Sequence, residues 1–152
     1  MIAPAVAADA EAIAALHQVL FDEHWTAADI RDLVSAPTTA AFLARDVTGA
    51  DPGPPVGFVI GRIVAGEAEI LSIGVAAASR RRGLGAALVE ALTVAARRAG
   101  ATRLFLEVAI DNASALALYG SIGFGPVGRR RGYYQRPGNP PVDAVAMALQ
   151  LD

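Results

Sequence analysis

The run Arg80-Arg81-Arg82-Gly83-Leu84-Gly85-Ala86 is the sharpest chemical signal in this 152-residue chain, with carboxylates and tyrosines as the other candidate reagents. A carboxylate can take a proton and a phenol can give one. A row of loop amides running into a helix N-terminus can hold an anion. Other reagents are scarce. With no cysteine and no lysine, thiol nucleophiles, zinc ribbons, disulfide frameworks, Schiff bases and the P-loop lysine are excluded. Two histidines, His17 and His24, are too few for a His-built metal site or for most Ser-His catalysis, and nothing calls for a metal. Catalysis is left to carboxylates, tyrosines, hydroxyls, arginines and backbone.

The arginine-glycine run admits three readings. It can be a solvated charge run before an ordinary helix. It can be a dinucleotide loop of the G-x-G-x-x-G kind, with Glu107 standing 22 residues after Gly85 as the ribose acid. Against this, the third glycine position is Leu88, and seven residues separate Val75 from Gly83 where a dinucleotide turn follows its strand directly. The third reading is R-x-x-G-x-G as a diphosphate site for a coenzyme A ligand, with the preceding strand gripping the rest. Gly83 and Gly85 would then let the backbone approach phosphate oxygens without a Cβ between.

These groups must be positioned by a fold, and 152 residues suit one domain, residues 1–152, with a real core. The chain is 54% hydrophobic and 18% charged, which excludes intrinsic disorder. Residues 1–76 carry ten acids and three arginines, a balance of −7; residues 77–152 carry five acids and ten arginines, a balance of +5. The cationic half suggests an anionic ligand, while the acidic half disfavours general nucleic-acid binding. The longest apolar stretch, Leu84 to Ala96, is broken by Glu90 and is too short to span a membrane. No basic signal region precedes Arg31, and a soluble cytoplasmic protein is expected.

The patterning predicts a strand Ile2–Val6 and a helix from about Ala10 to Leu20 capped by Asp9. A second helix follows Thr26, with Asp29 in a capping-box position, and ends near Ser35. Strands are expected at Ala40–Arg45, Val56–Val64 and Ala68–Val75, the last two joined by the turn Ala65-Gly66-Glu67. A helix from Leu84 to Ala99 ends at Gly100. Then come a strand Arg103–Val108, a short helix Asn112–Ser121, and strands Phe124–Tyr134 and Val142–Leu149 around a Pro/Gly loop. Residues 46–55 form the one clear loop. The order βααβββαβαββ describes an α/β fold with a mixed sheet and helices on both faces.

Several of these motifs together carry a family resemblance. Ile73-Gly74-Val75 followed by Arg80-x-x-Gly83-x-Gly85 resembles the acetyl-CoA signature of the GNAT N-acetyltransferases. Leu106-Glu107-Val108, then Asn112-x-x-Ala115-x-x-Leu118-Tyr119 and Gly123-Phe124, resembles the RimI type, the ribosomal-protein-alanine N-acetyltransferases. Arg131-Gly132-Tyr133-Tyr134, Asp143-Ala144 with Met147, and His24-Trp25-Thr26 in place of Pro-Trp-Ser extend the similarity along nearly the whole chain. The chain departs from that type in its longer loop Asp46–Pro55, in His24, and in Gly74 where alanine is common.

The resemblance implies an acetyl-CoA-dependent enzyme that passes acetyl directly to an amine. The pantetheine arm would lie along Ile73, Gly74 and Val75. The diphosphate would sit on the amides of Arg81, Arg82, Gly83, Leu84, Gly85 and Ala86, after Arg80. The Val75 amide would face the thioester oxygen, a role whose loss costs ~10²–10³ in rate. Glu107 matches the family's base, acting through a water, and is otherwise a structural carboxylate paired with an arginine. Tyr119 matches the acid that protonates the leaving thiolate, and is otherwise a core tyrosine among Leu116, Leu118 and Phe124. Asn112 would bond the cofactor, and an N-cap role is compatible with that.

On the acceptor side, Tyr133 and Tyr134 could line the peptide entrance. Alternation puts them on opposite faces of the sheet, so only one should matter. Trp25 is either core or the edge of the acceptor groove. Arg129-Arg130-Arg131 is either a solvated edge or a ribosomal or RNA contact. The expected acceptor is the α-amine of a protein N-terminus, such as a ribosomal protein starting with Ala, and the acidic first half suits a basic peptide. A small amine, an antibiotic, an internal lysine, or a non-catalytic acetyl-CoA-binding module are the alternatives. A monomer or weak dimer is expected.

Overall fold

The computed structural model describes residues 1–23, 25–46 and 53–152. His24 and most of the predicted 46–55 loop lie outside the described residues. One seven-stranded sheet organises the chain, in the order β1-β2-β3-β4-β5-β7-β6. Its strands are β1 (Ile2–Pro4), β2 (Thr39–Arg45), β3 (Pro55–Val64), β4 (Glu67–Val75), β5 (Arg103–Ala109), β6 (Gly125–Arg136) and β7 (Asn139–Gln150). The helices are α1 (Ala10–Leu20), α2 (Ala27–Ser35), α3 (Leu84–Arg98) and α4 (Ala113–Ile122). The chain order is the expected βααβββαβαββ, with short 3₁₀ turns at Ala7–Asp9 and Ala77–Ser79. No helix among the described residues is long and apolar enough to cross a membrane.

Local chemistry explains most boundaries. At α2, the Thr26 hydroxyl accepts from the Asp29 amide at 3.1 Å and the Asp29 carboxylate accepts from the Thr26 amide at 3.0 Å. This is the reciprocal capping box. The β3–β4 hairpin turns on Ala65 and Gly66, both at positive φ (51° and 81°), the twist a two-residue hairpin requires. Asp9 does not cap α1 as its position suggests. Its carboxylate turns back to accept from the Val6 amide at 2.8 Å and pairs with Arg45 at 3.2 Å, tying the 3₁₀ turn to β2. The opening strand ends at Pro4 rather than Val6. The expected Pro/Gly loop shrinks to a tight connection at Pro137-Gly138, because β6 and β7 pair out to Arg136↔Asn139.

Two apolar layers hold the sheet. On one face, Leu88, Val89, Leu92 and Ala96 of α3 pack with Val59, Leu104, Leu106 and Tyr119. On the other, Ile13 of α1 and Ile30 of α2 pack with Leu43, Phe58 and Ile60. An extra residue, Leu71, opposite Ile60–Gly61 reverses the alternation along β4. Ile70 and Ile73 therefore both face α3, and Gly74 falls on the side of α1, where an added Cβ would meet Leu20 and Phe21.

Candidate active site

The sheet comes apart where the candidate residues gather. β4 and β5 run parallel but pair only at Glu67↔Arg103, Ala68↔Leu104 and Glu69↔Phe105. Beyond this, β4 stays with β3 as far as Gly57↔Val75, while β5 stays with β7 as far as Ala109↔Ala144. A gap therefore opens between the C-terminal halves of two adjacent strands. The Ala76 amide donates to the Val56 carbonyl at 2.7 Å, so by two-residue alternation Gly74 also turns its backbone groups toward β3. Ile73 and Val75 turn theirs into the gap. Of the three residues expected to grip the pantetheine arm, Ile73 and Val75 thus offer backbone groups. Gly74 instead admits α1: a Cβ there would stand 2.7 Å from Leu20 Cδ1 and 3.2 Å from Phe58 Cε1.

The arginine-glycine run leads from this gap into α3. Arg81 (φ 65°) and Gly83 (φ 78°) both adopt the left-handed conformation, and Gly83 is the N-cap. It has no side chain to cap with, so the amides of Leu84, Gly85 and Ala86 open the helix without a side-chain partner. Space around a Cβ at Gly83 is open, whereas at Gly85 it would stand 3.1 Å from Leu118 Cδ2. Gly85 therefore lets α3 pack closely on α4. The arginines have separate duties. Arg80 donates through Nε to the Val75 carbonyl at 3.0 Å, closing the loop back on β4, and Arg82 pairs with Asp46 at 3.2 Å.

Across the gap β5 carries Glu107, while α4 and β6 carry Tyr119 and Tyr134. Leu104, Leu106 and Val108 face α3, so Glu107 projects to the opposite face, where α1 and α2 lie mainly against β2–β4. Glu107 Oε1 pairs with Arg130 Nη2 at 3.0 Å, while Oε2 is buried and finds no hydrogen-bond partner among the described residues. Tyr119 comes from α4, is 7% exposed, and meets Phe124 edge-on at 5.7 Å. Burial pushes its phenol up to about 12, with Tyr134 adding to the effect. Tyr134 is also raised, by burial first, then by the charge of Glu107. Tyr134 thus feels Glu107 and is itself felt by Tyr119, and the sequence singled it out only as a possible entrance residue.

The two adjacent tyrosines do not divide between faces. Arg130 pairs with Ala144 and Tyr134 with Val142, so three residues of β6 bulge opposite the single Asp143. Alternation fails there, and the Tyr133 and Tyr134 rings touch edge-on at 5.1 Å. Tyr133 is half exposed beneath the Arg130 guanidinium, 4.9 Å from its centroid. Asn112 caps α4, its Oδ1 accepting from the Ala115 amide at 3.2 Å. Trp25 stacks on buried His17 at 4.9 Å and borders a shallow hollow with Asp29, Asp32 and Leu33. Sequence reasoning allowed Glu107 an arginine partner without naming it, and the structure supplies Arg130; it missed the latches of Arg136 on Asp111 at 3.2 Å and of Asp143 on Arg129 and Gly132. Their partners lie 11 to 25 residues away, beyond any local pattern. Among the described residues, no group of three or more His, Asp or Glu side chains is placed to hold a metal ion.

A chain with this fold has known counterparts. Residues 10–124 match the Acetyltransferase (GNAT) family. The ribosomal protein bS18-alanine N-acetyltransferase of Escherichia coli K12 is 39% identical over 99 residues, 65% of this chain and 66%, just under two thirds, of that relative's length. A crystal structure of the ribosomal-protein-S18-alanine N-acetyltransferase from Escherichia coli has a TM-score of 0.88 and 30% identity, covering 100% of this chain and 94% of that one. The N-alpha-acetyltransferase RimI of Mycobacterium tuberculosis is 38% identical over 146 residues, 92% of this chain and 85% of that protein. At the level of fold alone, Arabidopsis thaliana NAA60 in complex with acetyl-CoA has a TM-score of 0.89 at 21% identity, covering 99% of this chain and 98% of that one. With a family match over most of its length, a relative alike across 92% of it, and a sheet split between β4 and β5, the chain belongs to the GNAT acetyltransferase family and is of the RimI type.

Proposed function

We propose that residues 1–152 act as one GNAT domain that transfers the acetyl group of acetyl-CoA to the α-amine of a protein N-terminus, a ribosomal protein starting with Ala foremost. The observation that supports this reading is the β4–β5 gap, which turns the Ile73 and Val75 backbone toward open space just ahead of the uncapped start of α3, with Glu107 on the facing strand. The residues present fit the donor. Ile73 and Val75 can pair with the amides of a pantetheine arm as an added strand would. The amides of Arg81, Arg82, Gly83, Leu84, Gly85 and Ala86, beside Arg80, provide an anion-binding turn for its diphosphate. Asn112 lies at the start of α4, near the mouth.

In the reaction, the neutral amine attacks the thioester carbon. An N-terminal α-amine, with a pKa of about 7.7–8.0, gives up its proton far more readily than lysine at about 10.4, so a modest base suffices. Glu107 takes that proton through a water. The Val75 N–H faces the carbonyl oxygen as charge develops there. The C–S bond breaks, and Tyr119, whose phenol stays protonated at neutral pH, donates its proton to the departing thiolate. Tyr134, Tyr133 and Trp25 border the side from which the peptide enters, and the acidic first half favours a basic peptide.

The test is thiol release from acetyl-CoA with a panel of Ala-, Ser- and Met-starting peptides, N-blocked lysine peptides and polyamines. The chain itself contributes no thiol. Release with Ala-starting peptides, located on the α-amine by mass, supports the reading. Release only with a lysine or a small amine replaces the acceptor, and binding without release favours a non-catalytic module. Glu107→Gln should lower kcat/KM by ~10²–10⁴, and a near-normal rate at high pH would return Glu107 to a structural role.

A further inference from the structure

We propose that Arg130 is a positioning residue for Glu107, aimed by the β6 bulge that Asp143 holds in shape. The proposal rests on the reading of Glu107 as the base. Glu107 pairs with Ala146 on β7, and Arg130 pairs with Ala144, so the guanidinium reaches diagonally across β7 to the carboxylate. The floor it crosses is made of Ala144, Ala146 and, on β6, Gly128 opposite Ala146. The reach ends in one contact, Nη2 to Oε1 at 3.0 Å.

The origin of the reach is fixed independently. Asp143 Oδ1 accepts from the Gly132 amide at 2.8 Å, and Oδ2 takes Arg129 Nε at 2.7 Å and Nη2 at 2.6 Å. Gly132 sits at φ 59°, a conformation that suits glycine. One carboxylate thus pins the residues on either side of Arg130, and the Tyr133 ring supports the guanidinium from below at 4.9 Å. The consequence falls on Glu107. Of its two oxygens, Oε1 is held by a cation and Oε2 is buried with no partner among the described residues. A carboxylate held by one oxygen keeps the other as a fixed acceptor. That is the arrangement a base needs when small misplacements cost large factors in rate.

Isolated surface ion pairs often contribute little, so stability is a poor readout for this one, and kinetics decides. Wild type, Arg130→Met, Arg130→Lys, Glu107→Gln and the Arg130→Met/Glu107→Gln double variant are assayed with acetyl-CoA and an Ala-starting peptide. Arg130→Met should lose about 10- to 100-fold in kcat, with KM for both substrates changed by no more than about twofold. Arg130→Lys should recover part of the loss, since a single contact does not need the guanidinium fork. In the Glu107→Gln background, Arg130→Met should cost nothing further. The proposal is overturned if kcat of Arg130→Met matches wild type, if only the peptide KM rises, or if the loss persists undiminished in the Glu107→Gln background. A wild type that turns over none of the acceptors is a separate result: it removes the assigned function and this inference with it.

Discussion

Replacing Tyr119 by Phe removes one oxygen from a buried ring and should make the protein more resistant to alkali. Burial, then the neighbouring Tyr134, raises the phenol from 10.0 to about 12. Between these values the unfolded chain has released the proton and the folded chain still holds it. The folded state is then the one binding more protons, so unfolding becomes easier by about 1.36 kcal/mol per pH unit. The contribution is complete below pH ~10 and lost by pH ~12, for a total of about 2.7 kcal/mol. By pH ~11 the wild type should have lost about 1.4 kcal/mol relative to Tyr119→Phe, a Tm difference of roughly 3–6 °C in a domain of this size. Urea unfolding of both proteins from about pH 8 to pH 11 measures this, since titrations common to both cancel in the difference. Parallel curves would refute the argument that the ring is buried as the structure places it. The same variant reports on chemistry: as the acid, Tyr119 stays protonated throughout the physiological range, and its loss should lower kcat by ~10² or more. Unchanged turnover would remove it from the mechanism.

Three further outcomes follow from particular contacts. Gly61→Ala should destabilise by about 1–3 kcal/mol, lowering Tm by roughly 2–10 °C, because the new Cβ would stand 2.7 Å from both methyls of fully buried Leu92. Gly83→Ala should cost about 1–2 kcal/mol in backbone strain and raise KM for acetyl-CoA, whereas Gly85→Ala should leave stability within about 1 kcal/mol of wild type, helix propensity offsetting the push on Leu118; urea titration and initial rates separate the two. At the acid end, the Gly132 amide and then Arg129 hold the Asp143 carboxyl below the usual carboxylate range. Its contribution is present above that range and is lost as pH falls through the lowered value, so Asp143→Asn should flatten the acid limb of a stability profile.

The local signals were legible because each is written within a few residues. The Thr26–Asp29 box, the Asn112 cap, the Ala65-Gly66 turn and the apolar spacing of α1 and α3 each need only neighbours three or four positions away. The motifs around Arg80, Glu107 and Tyr119 were legible for the same reason. Where a side chain had two local options, the reading failed. Asp9 was free to cap α1, but Arg45, 36 residues on, drew it toward β2. Tyr133 and Tyr134 follow strand alternation in sequence, but the bulge pinned by Asp143 cancels it.

What the sequence determined by itself is the set of elements, their order, and the residue types able to move a proton or hold an anion. What only the tertiary structure decided is how those groups meet. The insertion of β7 between β5 and β6 sets Arg130 beside Glu107, and the parting of β4 from β5 turns Ile73 and Val75 toward open space. Contact between α3 and α4 makes Gly85 a packing glycine. Periodicity and capping are short-range and survive in a sequence. Strand order, bulges and ion pairs between distant segments depend on which surfaces the folded chain can bury together, and no local window contains both partners.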